Sequence, residues 1–328
     1  TADIAREQDL ELDEGGFKKC MEEQIKNSKS ASKFKGTQLD LSAIDETQFL
    51  GYDRLNAEGK VLGLWNDDLQ VDSATPGKEY ILALDQSPFY AESGGQVGDQ
   101  GEFSGSNGSG QVVDCIKQGK IFLHKINLEE GSIKLNDTLK LSVAPVMRSN
   151  AASNHSATHL MHAALKHVLG NHVEQKGSLV DSSKLRFDFS HPKAVTKDEL
   201  KQIELLVNQQ TLSNAEVKTE LMQLDDAIAS GAEAMFGEKY DDEVRVLSMG
   251  DGFSVELCGG THVSRTGDIG MFTILSESSV SSGVRRIEAV TGLKAVELML
   301  DIRSQLQDVQ GILNVGAPQV SSKVEDLI

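Results

Sequence analysis

The sequence has few cysteines and no long apolar run. Its three cysteines, Cys20, Cys115 and Cys258, are an odd number scattered over 328 residues. This pattern argues against a disulfide framework and for a reducing compartment. No stretch approaches the ~20 consecutive apolar residues that a membrane-spanning helix needs. We therefore expect a cytoplasmic, globular protein that has no membrane partner.

Basic residues are in deficit, because 32 Lys and Arg stand against 50 Asp and Glu, a net charge of −18 at pH 7. Contacts with phosphate backbones need clustered cations, so this balance argues against DNA and other sequence-independent nucleic-acid binding. Total charge does not set local charge, and several cations remain free to line a pocket for an anion. These are Lys176, Lys184, Arg186, Arg285 and Arg286.

The chain begins with Thr1 and lacks a signal-peptide pattern, which we interpret as an internal fragment of a longer protein. Its length favours two domains with helical extensions. Changes in residue periodicity predict four segments. They are a helical segment at 1–46, a β-barrel domain at 47–145, a second domain at 146–292 and the start of a C-terminal helical segment at 293–328.

The first two segments differ in composition. Helix-forming residues dominate 14–32, whereas short alternating runs separated by turn residues fill 51–143. Such runs are typical of a small antiparallel barrel or sandwich. The glycines at 95, 98 and 101 have the spacing G-x-x-G-x-x-G between strands, so they indicate turns in this domain and not a dinucleotide-binding loop.

The second domain mixes helix and strand. A helical pattern covers 147–169, and Thr196 with Glu199 forms a capping-box signature for another helix. Residues 244–248 and 253–257 are expected to form a hairpin around a glycine-containing turn, and 271–277 is expected to pair with 284–290. The fold class is α+β: a small antiparallel β-barrel domain followed by a two-layer α/β domain with an antiparallel sheet, flanked by helical segments.

The C-terminal segment carries an apolar seam at alternating spacings of three and four. Its members are Met299, Ile302, Leu306, Val309 and Leu313. The seam is typical of a coiled coil and predicts self-association through this helix. The alternative is an amphipathic helix that packs on its own domain.

Two short elements supply good metal ligands. His155 and His159 lie four apart in the predicted helix, so their imidazoles share one face and can bind one ion. Cys258 and His262 follow a predicted strand, and the two glycines between them would let the backbone turn tightly. The four side chains together predict a tetrahedral zinc site with three histidines and one cysteine.

Helical periodicity tests whether these histidines are ordinary core residues. The apolar stripe of the helix lies opposite His155, His159 and His162, so we expect the three rings outside the core. A metallopeptidase would need a glutamate as general base beside the first histidine, where this chain has Ser156. A purely structural zinc remains open, because four protein ligands close the coordination shell.

Several motifs resemble the editing domain of the alanyl-tRNA synthetase family, and together they cover nearly the whole chain. The resemblance includes the helix motif at 155–159, Gln175-Lys176-Gly177-Ser178 and the motif at 258–262. It also includes 89–99, which is similar to the family's barrel signature, and 283–288, which is similar to a late strand. The metal motif alone occurs in the related threonyl-tRNA synthetase editing domain and in free-standing editing proteins.

The resemblance implies an aminoacyl-tRNA deacylase that hydrolyses serine or glycine esters of alanine tRNA. The partner would be the misacylated 3′ end, and Zn²⁺ would be bound by His155, His159, Cys258 and His262. The same resemblance implies that Thr158, Gln175 and Cys258 are catalytic residues and that Thr158 and Gln175 line the amino-acid pocket. It also implies that Arg285 contacts tRNA. Residues 1–46 would end the tRNA-recognition region, and the ATP-dependent ligase domain would precede Thr1.

The residues leave the mechanism open. Zinc can polarise water or a carbonyl, or only hold the substrate. The Thr158 hydroxyl suits discrimination of serine from alanine, although a helix-packing role explains this residue equally well. Two other functions stay in view: a non-catalytic RNA-binding module stapled by zinc, and an unrelated zinc hydrolase of small esters.

Overall fold

A computed structural model of the chain describes Gly16 and residues 39–233 and 241–328. The predicted helix at 14–32 therefore lies outside the described residues, except for Gly16, which is helical. In the described part of the chain five α-helices combine with antiparallel sheets. None of these helices is long and apolar enough to cross a membrane.

The N-terminal half of the described chain is built from eleven strands. They are β1 (Gln48–Phe49), β2 (Asn56–Asn66), β3 (Leu69–Gln70), β4 (Ser73–Ala74), β5 (Glu79–Leu84), β6 (Gln86–Ser87), β7 (Gly101–Ser104), β8 (Gly108–Gln118), β9 (Ile121–Gly131), β10 (Ile133–Lys134) and β11 (Thr138–Val143). Six of them pair in the order β11-β7-β8-β9-β5-β2, and β11 closes on β2. The predicted antiparallel barrel is confirmed, and closure leaves no long unpaired edge.

Alternation along the strands explains why this segment forms a barrel. In β11 the buried Leu139, Leu141 and Val143 alternate with exposed polar residues, as a half-buried strand requires. Register shifts in β8, opposite β9, interrupt the ladder at two places. Such bulges increase strand curvature, which helps a six-stranded sheet to close.

The remaining strands follow the barrel. They are β12 (Gln175–Val180), β13 (Leu185–Ser190), β14 (Lys218–Gln223), β15 (Glu243–Met249), β16 (Ser254–Leu257), β17 (Phe272–Ser281) and β18 (Val284–Thr291). One antiparallel sheet has the order β12-β13-β18-β17, and a second has the order β14-β15-β16. Both predicted pairings, of 244–248 with 253–257 and of 271–277 with 284–290, are confirmed.

Helices pack against these sheets. They are α1 (Pro145–Leu169), α2 (Lys197–Ser213), α3 (Leu224–Ala229), α4 (Gly292–Leu313) and α5 (Val320–Glu325), with 3-10 turns at Thr266–Ile269 and Ala317–Gln319. α1 begins at Pro145, whose fixed φ suits a first helical position, and confirms the predicted helix at 147–169. The capping box of Thr196 and Glu199 is present at the start of α2. The main core lies between α1 and the four-stranded sheet, where Leu160, Met161, Phe187 and Ile287 are fully buried.

The seam of α4 is exposed. Four of its members have 38% to 48% of their surface exposed to solvent: Met299, Ile302, Leu306 and Val309. In this helix Ala295 alone is buried. The alternative that the seam packs on the chain's own domain is therefore wrong for the described residues. Self-association through α4 stays a prediction, as do the four segment boundaries.

The barrel is joined to α1 by a buried ion pair. The Arg148 guanidinium in the first turn of α1 contacts the Asp99 carboxylate in a barrel loop, and both side chains are over 90% buried. Arg148 also donates to the carbonyls of Gly51 and Pro88, while Asp99 accepts the backbone N–H of Tyr90. Removing one partner of such a pair leaves an unpaired buried charge, so this contact ties the two parts of the chain together.

A second contact brings the loop before β7 onto the four-stranded sheet. The N–H of Val97 donates to the carbonyl of Val180 at 3.0 Å, and the N–H of Val180 donates to the carbonyl of Gly95 at 2.7 Å. Gly95 has φ of +82°, and a Cβ there would lie 2.8 Å from the Ser178 carbonyl oxygen. Only glycine fits this approach, which carries Gln96 into the second half of the chain.

Inside the barrel His124 is held as a neutral base. Its Nδ1–H donates to the Leu82 carbonyl, and its Nε2 accepts from the Ser87 hydroxyl at 2.7 Å. The ring is fully buried, and burial lowers the pKa of His124 to about 4, against a small opposing effect of the Leu82 bond.

We predict that His124 makes the barrel less stable in acid. Because the folded-state pKa is lowered, the stabilisation is complete above about pH 6.5 and is lost as pH falls towards 4, by up to roughly 3 kcal/mol. Urea unfolding between pH 4.5 and 7.5, followed by fluorescence of Trp65, the buried single tryptophan of the barrel, measures this loss. The variant His124→Gln should flatten the profile, whereas His167→Gln, at an exposed position of α1, should not. Equal pH dependence in both variants would refute the assignment.

Candidate metal centre

Four side chains from two distant parts of the chain meet at one point. α1 supplies His155 and His159 one turn apart, and the loop after β16 supplies Cys258 and His262. One donor atom from each lies within 4.8 Å of the others. The convergence expected from spacing is present, and the group could hold a metal ion.

The loop between Cys258 and His262 approaches α1 very closely. A Cβ on Gly260 would lie 2.1 Å from Cε1 of the His155 ring, so a larger residue would displace that imidazole. A Cβ on Gly259 would lie 3.9 Å from the Tyr52 hydroxyl, an ordinary contact, and neither glycine has a positive φ. The close approach of backbone to ring, and not a special turn conformation, explains the need for glycine at 260.

Each imidazole of the group is oriented by an oxygen atom at its Nδ1. Nδ1 of His155 donates to the Gln96 amide oxygen at 2.8 Å, and Nδ1 of His159 donates to the Glu256 carboxylate at 2.6 Å. Nδ1 of His262 lies 3.2 Å from the Ser156 hydroxyl. A proton on Nδ1 leaves the Nε2 lone pair available, and partners of this kind commonly orient metal-binding histidines.

The Nε2 atoms consequently face one another and the cysteine. Cys258 Sγ lies 3.5 Å from Nε2 of His155 and 3.2 Å from Nε2 of His262. Tetrahedral bonds of ~2.0–2.3 Å would place ligand atoms about 3.5 Å apart. Nε2 of His159 is buried and has no hydrogen-bond partner among the described residues. A buried orphan atom beside three other donors fits a metal ligand better than a core residue.

The electrostatics favour the metal-binding forms of Cys258 and His262. Burial opposes ionisation of the Cys258 thiol, but the imidazoles of His155, His262 and His159 outweigh burial and hold the cysteine pKa well below its usual value. Burial lowers the pKa of His262 to about 3, so this ring is neutral at pH 7. A thiolate and a neutral imidazole are the forms in which these side chains bind metals.

Glu256 contributes a charge behind the group. Burial would raise its pKa, but His159 and His162 hold the pKa of this carboxyl below its usual range. In return the carboxylate raises the pKa of His159 against the effect of burial. Glu256 also accepts from Nδ1 of His162 at 3.1 Å, so one carboxylate joins two neighbouring rings of α1.

The histidine face of α1 lies outside the hydrophobic core, as expected, but it is buried and not exposed to solvent. His155, His159 and His162 are all at least 93% buried. The face does lie opposite the apolar stripe, but Gln96 from the barrel loop and Glu256 from β16 cover it. Helical periodicity located the face correctly and could not show that polar partners bury it.

The other predicted site residues lie elsewhere. The Thr158 hydroxyl is buried and donates to the Asn154 carbonyl one turn earlier at 2.8 Å. Gln175 is half-buried at the start of β12, opposite Phe189 in β13. Arg285, on β18, forms a two-bond ion pair with Glu277 on β17. None of the three is among the four converging residues.

The expectation that five cations remain free for an anion is wrong. Most are in ion pairs with neighbouring strands or turns: Lys176 with Glu174, Lys184 with Glu288, Arg285 with Glu277 and Arg286 with Asp188, while Arg186 lies 4.0 Å from Asp188. Strand register explains part of this, because Asp188 lies directly opposite Arg286.

Sequence reasoning missed the residues behind the ligands. Glu256 precedes Cys258 by two positions in or beside a strand, a spacing that puts both side chains on one face. Gln96 lies inside the barrel motif at 89–99, yet 59 residues separate it from His155. The first had a local signal, whereas nothing local linked the second to the site.

We predict that Glu256→Gln weakens metal binding about 10- to 100-fold, because a neutral amide orients and polarises the His159 ring less well than a carboxylate. Competition between the protein and a chromophoric chelator for Zn²⁺ measures the affinity. Glu233→Gln is the matched control, since Glu233 pairs with Lys166 next to the same network and contacts none of the four converging residues. An unchanged affinity in Glu256→Gln would remove Glu256 from the site.

Two family models match the chain. The model for tRNA synthetases class II (A) matches residues 1–146, which include the barrel strands. The model for the threonyl and alanyl tRNA synthetase second additional domain matches residues 244–288, which include Cys258 and His262. With both models on one polypeptide, the chain belongs to the alanyl-tRNA synthetase family and carries its editing-associated domain.

Proposed function

We propose that this chain hydrolyses the ester bond that joins serine or glycine to alanine tRNA, as a zinc-dependent editing deacylase. One observation carries the proposal: three imidazoles and a thiolate converge, and each ring is oriented from behind by Gln96, Glu256 or Ser156. Membership of a synthetase family with an editing-associated domain supports tRNA as the partner.

The donor set favours zinc over other common ions. Imidazole nitrogen and thiolate sulfur suit Zn²⁺, whereas Mg²⁺ and Ca²⁺ take oxygen ligands. When bound, zinc supplies a Lewis acid that can polarise an ester carbonyl or water, or an anchor that positions the substrate. His155, His159, Cys258 and His262 would hold the ion.

The chain's own residues set how an ester could approach. His155, His159 and Cys258 are at least 91% buried and close the inner side of the centre to water. His262 is half-buried and is one of the residues that line an open cleft. The substrate would therefore arrive along the His262 edge. Gln96, which holds both the His155 ring and the Thr261 backbone, keeps that edge fixed.

Thr158 and Gln175 are proposed to line the amino-acid pocket. The Thr158 hydroxyl donates its proton to Asn154, which leaves the oxygen lone pairs able to accept a bond from a serine side chain. A site that pairs with that hydroxyl would discriminate against alanine, whose side chain lacks it.

We predict that Cys258→Ala loses both bound zinc and deacylation, because the thiolate is one of four ligands. Metal content and the release of amino acid from seryl-, glycyl- and alanyl-tRNA are the measurements, and Trp65 fluorescence should show that the barrel stays folded. Cys115→Ala, at the other described free cysteine, lies in the barrel and should retain zinc and activity. Deacylation by metal-free protein would overturn the mechanism.

Thr158→Val tests whether the Thr158 hydroxyl recognises the serine side chain of the substrate. It keeps the shape of the side chain and removes the hydroxyl, so we expect a roughly 3- to 10-fold loss of deacylation on seryl-tRNA relative to glycyl-tRNA. If Thr158 only packs the helix, the two rates will change together. The ratio of kcat/KM for the two substrates decides between these roles.

A non-catalytic RNA-binding module is the second candidate function. It is favoured by the count of four protein ligands, which completes a tetrahedral shell as in structural zinc sites. Such a protein would bind tRNA, and its second half would unfold when zinc is removed. It would not hydrolyse seryl-tRNA. The deacylation assay with all three charged tRNAs separates it from the editing enzyme.

A further inference from the structure

A cleft of about 560 Å³ opens beside the metal centre, between the barrel and the second half of the chain. Thr261 and His262 line it from the ligand loop, and Tyr52 and Arg54 line it from the turn after β1. Arg245 on β15 completes the side nearest Tyr52. The cleft therefore begins at the partly exposed edge of the centre.

Tyr52 presents a fixed aromatic ring in this cleft. Its hydroxyl donates to the Gly259 carbonyl at 2.6 Å, and its ring packs against Phe49 in a T-shaped contact with ring centroids 4.8 Å apart. Even so, 48% of the residue is exposed. A ring held at both ends with an open surface can stack a planar group at little entropic cost.

Two arginines of the cleft have no carboxylate partner among the described residues. Arg245 donates to the carbonyls of Cys258 and Gly260 at 3.0 and 2.9 Å, and its guanidinium lies 4.4 Å from the centre of the Tyr52 ring. Arg54 is exposed and forms no ion pair within the described chain. By contrast, Arg148 and Arg285 are committed to carboxylates. Arg245 also donates to the Thr219 hydroxyl, so its bonds go to neutral groups. On a chain of net charge −18, two arginines without a carboxylate partner among the described residues at one cleft are a distinct feature.

Two carboxylates also line the cleft and limit its positive charge. Asp268 accepts the backbone N–H of Arg265 at 3.0 Å and so belongs to the following 3-10 turn, while Asp53 is exposed. The cleft is therefore suited to a ligand with one or two phosphates and a planar base, and not to a long anionic strand.

We propose that this cleft binds the 3′-terminal nucleotide of the aminoacyl-tRNA, with the base on Tyr52 and the adjoining phosphate near Arg54 and Arg245. The ester on the terminal ribose is thereby delivered to the His262 edge of the centre. This inference rests on the proposed editing activity, to which it adds a binding site for the nucleotide. Arg245 also braces the ligand loop through its bonds to Cys258 and Gly260, so it links nucleotide binding to the centre.

Steady-state deacylation of seryl-tRNA by the zinc-loaded chain tests the proposal. Tyr52→Ala should raise KM roughly 5- to 100-fold, as expected for loss of one stacked base, with kcat and zinc content little changed. Tyr52→Phe keeps the stacking ring and removes only the bond to Gly259, so it should raise KM less than Tyr52→Ala does. Arg54→Ala should raise KM and Arg303→Ala, a matched arginine on the exposed face of α4, should not.

Binding of an uncharged fluorescent RNA hairpin with a single-stranded CCA end provides a readout that is independent of catalysis. Fluorescence anisotropy should show weaker binding by Tyr52→Ala and a shallower salt dependence for Arg54→Ala, by about one phosphate contact. Unchanged KM and affinity in both variants, or no hairpin binding by the unaltered chain, would overturn the inference. Loss of zinc in both Tyr52 variants would instead assign the ring to bracing the ligand loop, which also overturns it.

The two proposals fail separately. If the unaltered chain deacylates seryl-tRNA and the variants match it, the nucleotide site is wrong and the editing activity stands. If the unaltered chain binds the hairpin through Tyr52 and Arg54 but never cleaves the ester, the cleft is supported as a nucleotide site and the editing activity is wrong.

Discussion

Hydrogen bonds at the Nδ1 atoms of three histidines decide what the centre can do. A histidine whose Nδ1 is held by an oxygen has its ring orientation and its tautomer set together, and the Nε2 lone pair then points away from that partner. Here the partners are a side-chain amide, a carboxylate and a hydroxyl, on His155, His159 and His262 respectively. The thiolate of Cys258 lies where the three inner nitrogens meet, so donor atoms are organised before any ion arrives.

This arrangement depends on the barrel as much as on the domain that carries the ligands. Gln96 reaches the centre because the loop at Gly95 pairs with Val180 and because Asp99, three residues later, is held by Arg148. Both contacts are buried, and the ion pair tolerates little displacement, since an unpaired charge at that depth is costly. The barrel is thus part of the site, because its fold sets the position of Gln96 and with it the orientation of the His155 ring.

The cationic side chains fall into two groups, those paired with carboxylates and those without such a partner among the described residues. Across the four-stranded sheet, arginines and lysines form ion pairs with acids on neighbouring strands, which balance their charge. Arg54 and Arg245, which have no carboxylate partner among the described residues, lie where the barrel meets the second domain. The Tyr52 ring and the partly exposed His262 lie at the same place. A strongly acidic chain can in this way present a small, local surface for an anion without binding nucleic acid broadly.

Much of the architecture could be predicted from the sequence by itself. Alternation along residues 138–143 predicts a barrel strand, the interval of four between His155 and His159 places both on one face of α1, and the capping box marks the start of α2. These features are local, because helix and strand periods are set by backbone geometry over a few residues. Tertiary structure alone decided which oxygen holds each imidazole, that the histidine face is buried, and which cations are neutralised. Many of those contacts join residues far apart in sequence, such as Gln96 and His155, 59 positions apart, or Asp188 and Arg286, 98 positions apart. Only chain packing brings such residues within hydrogen-bond distance.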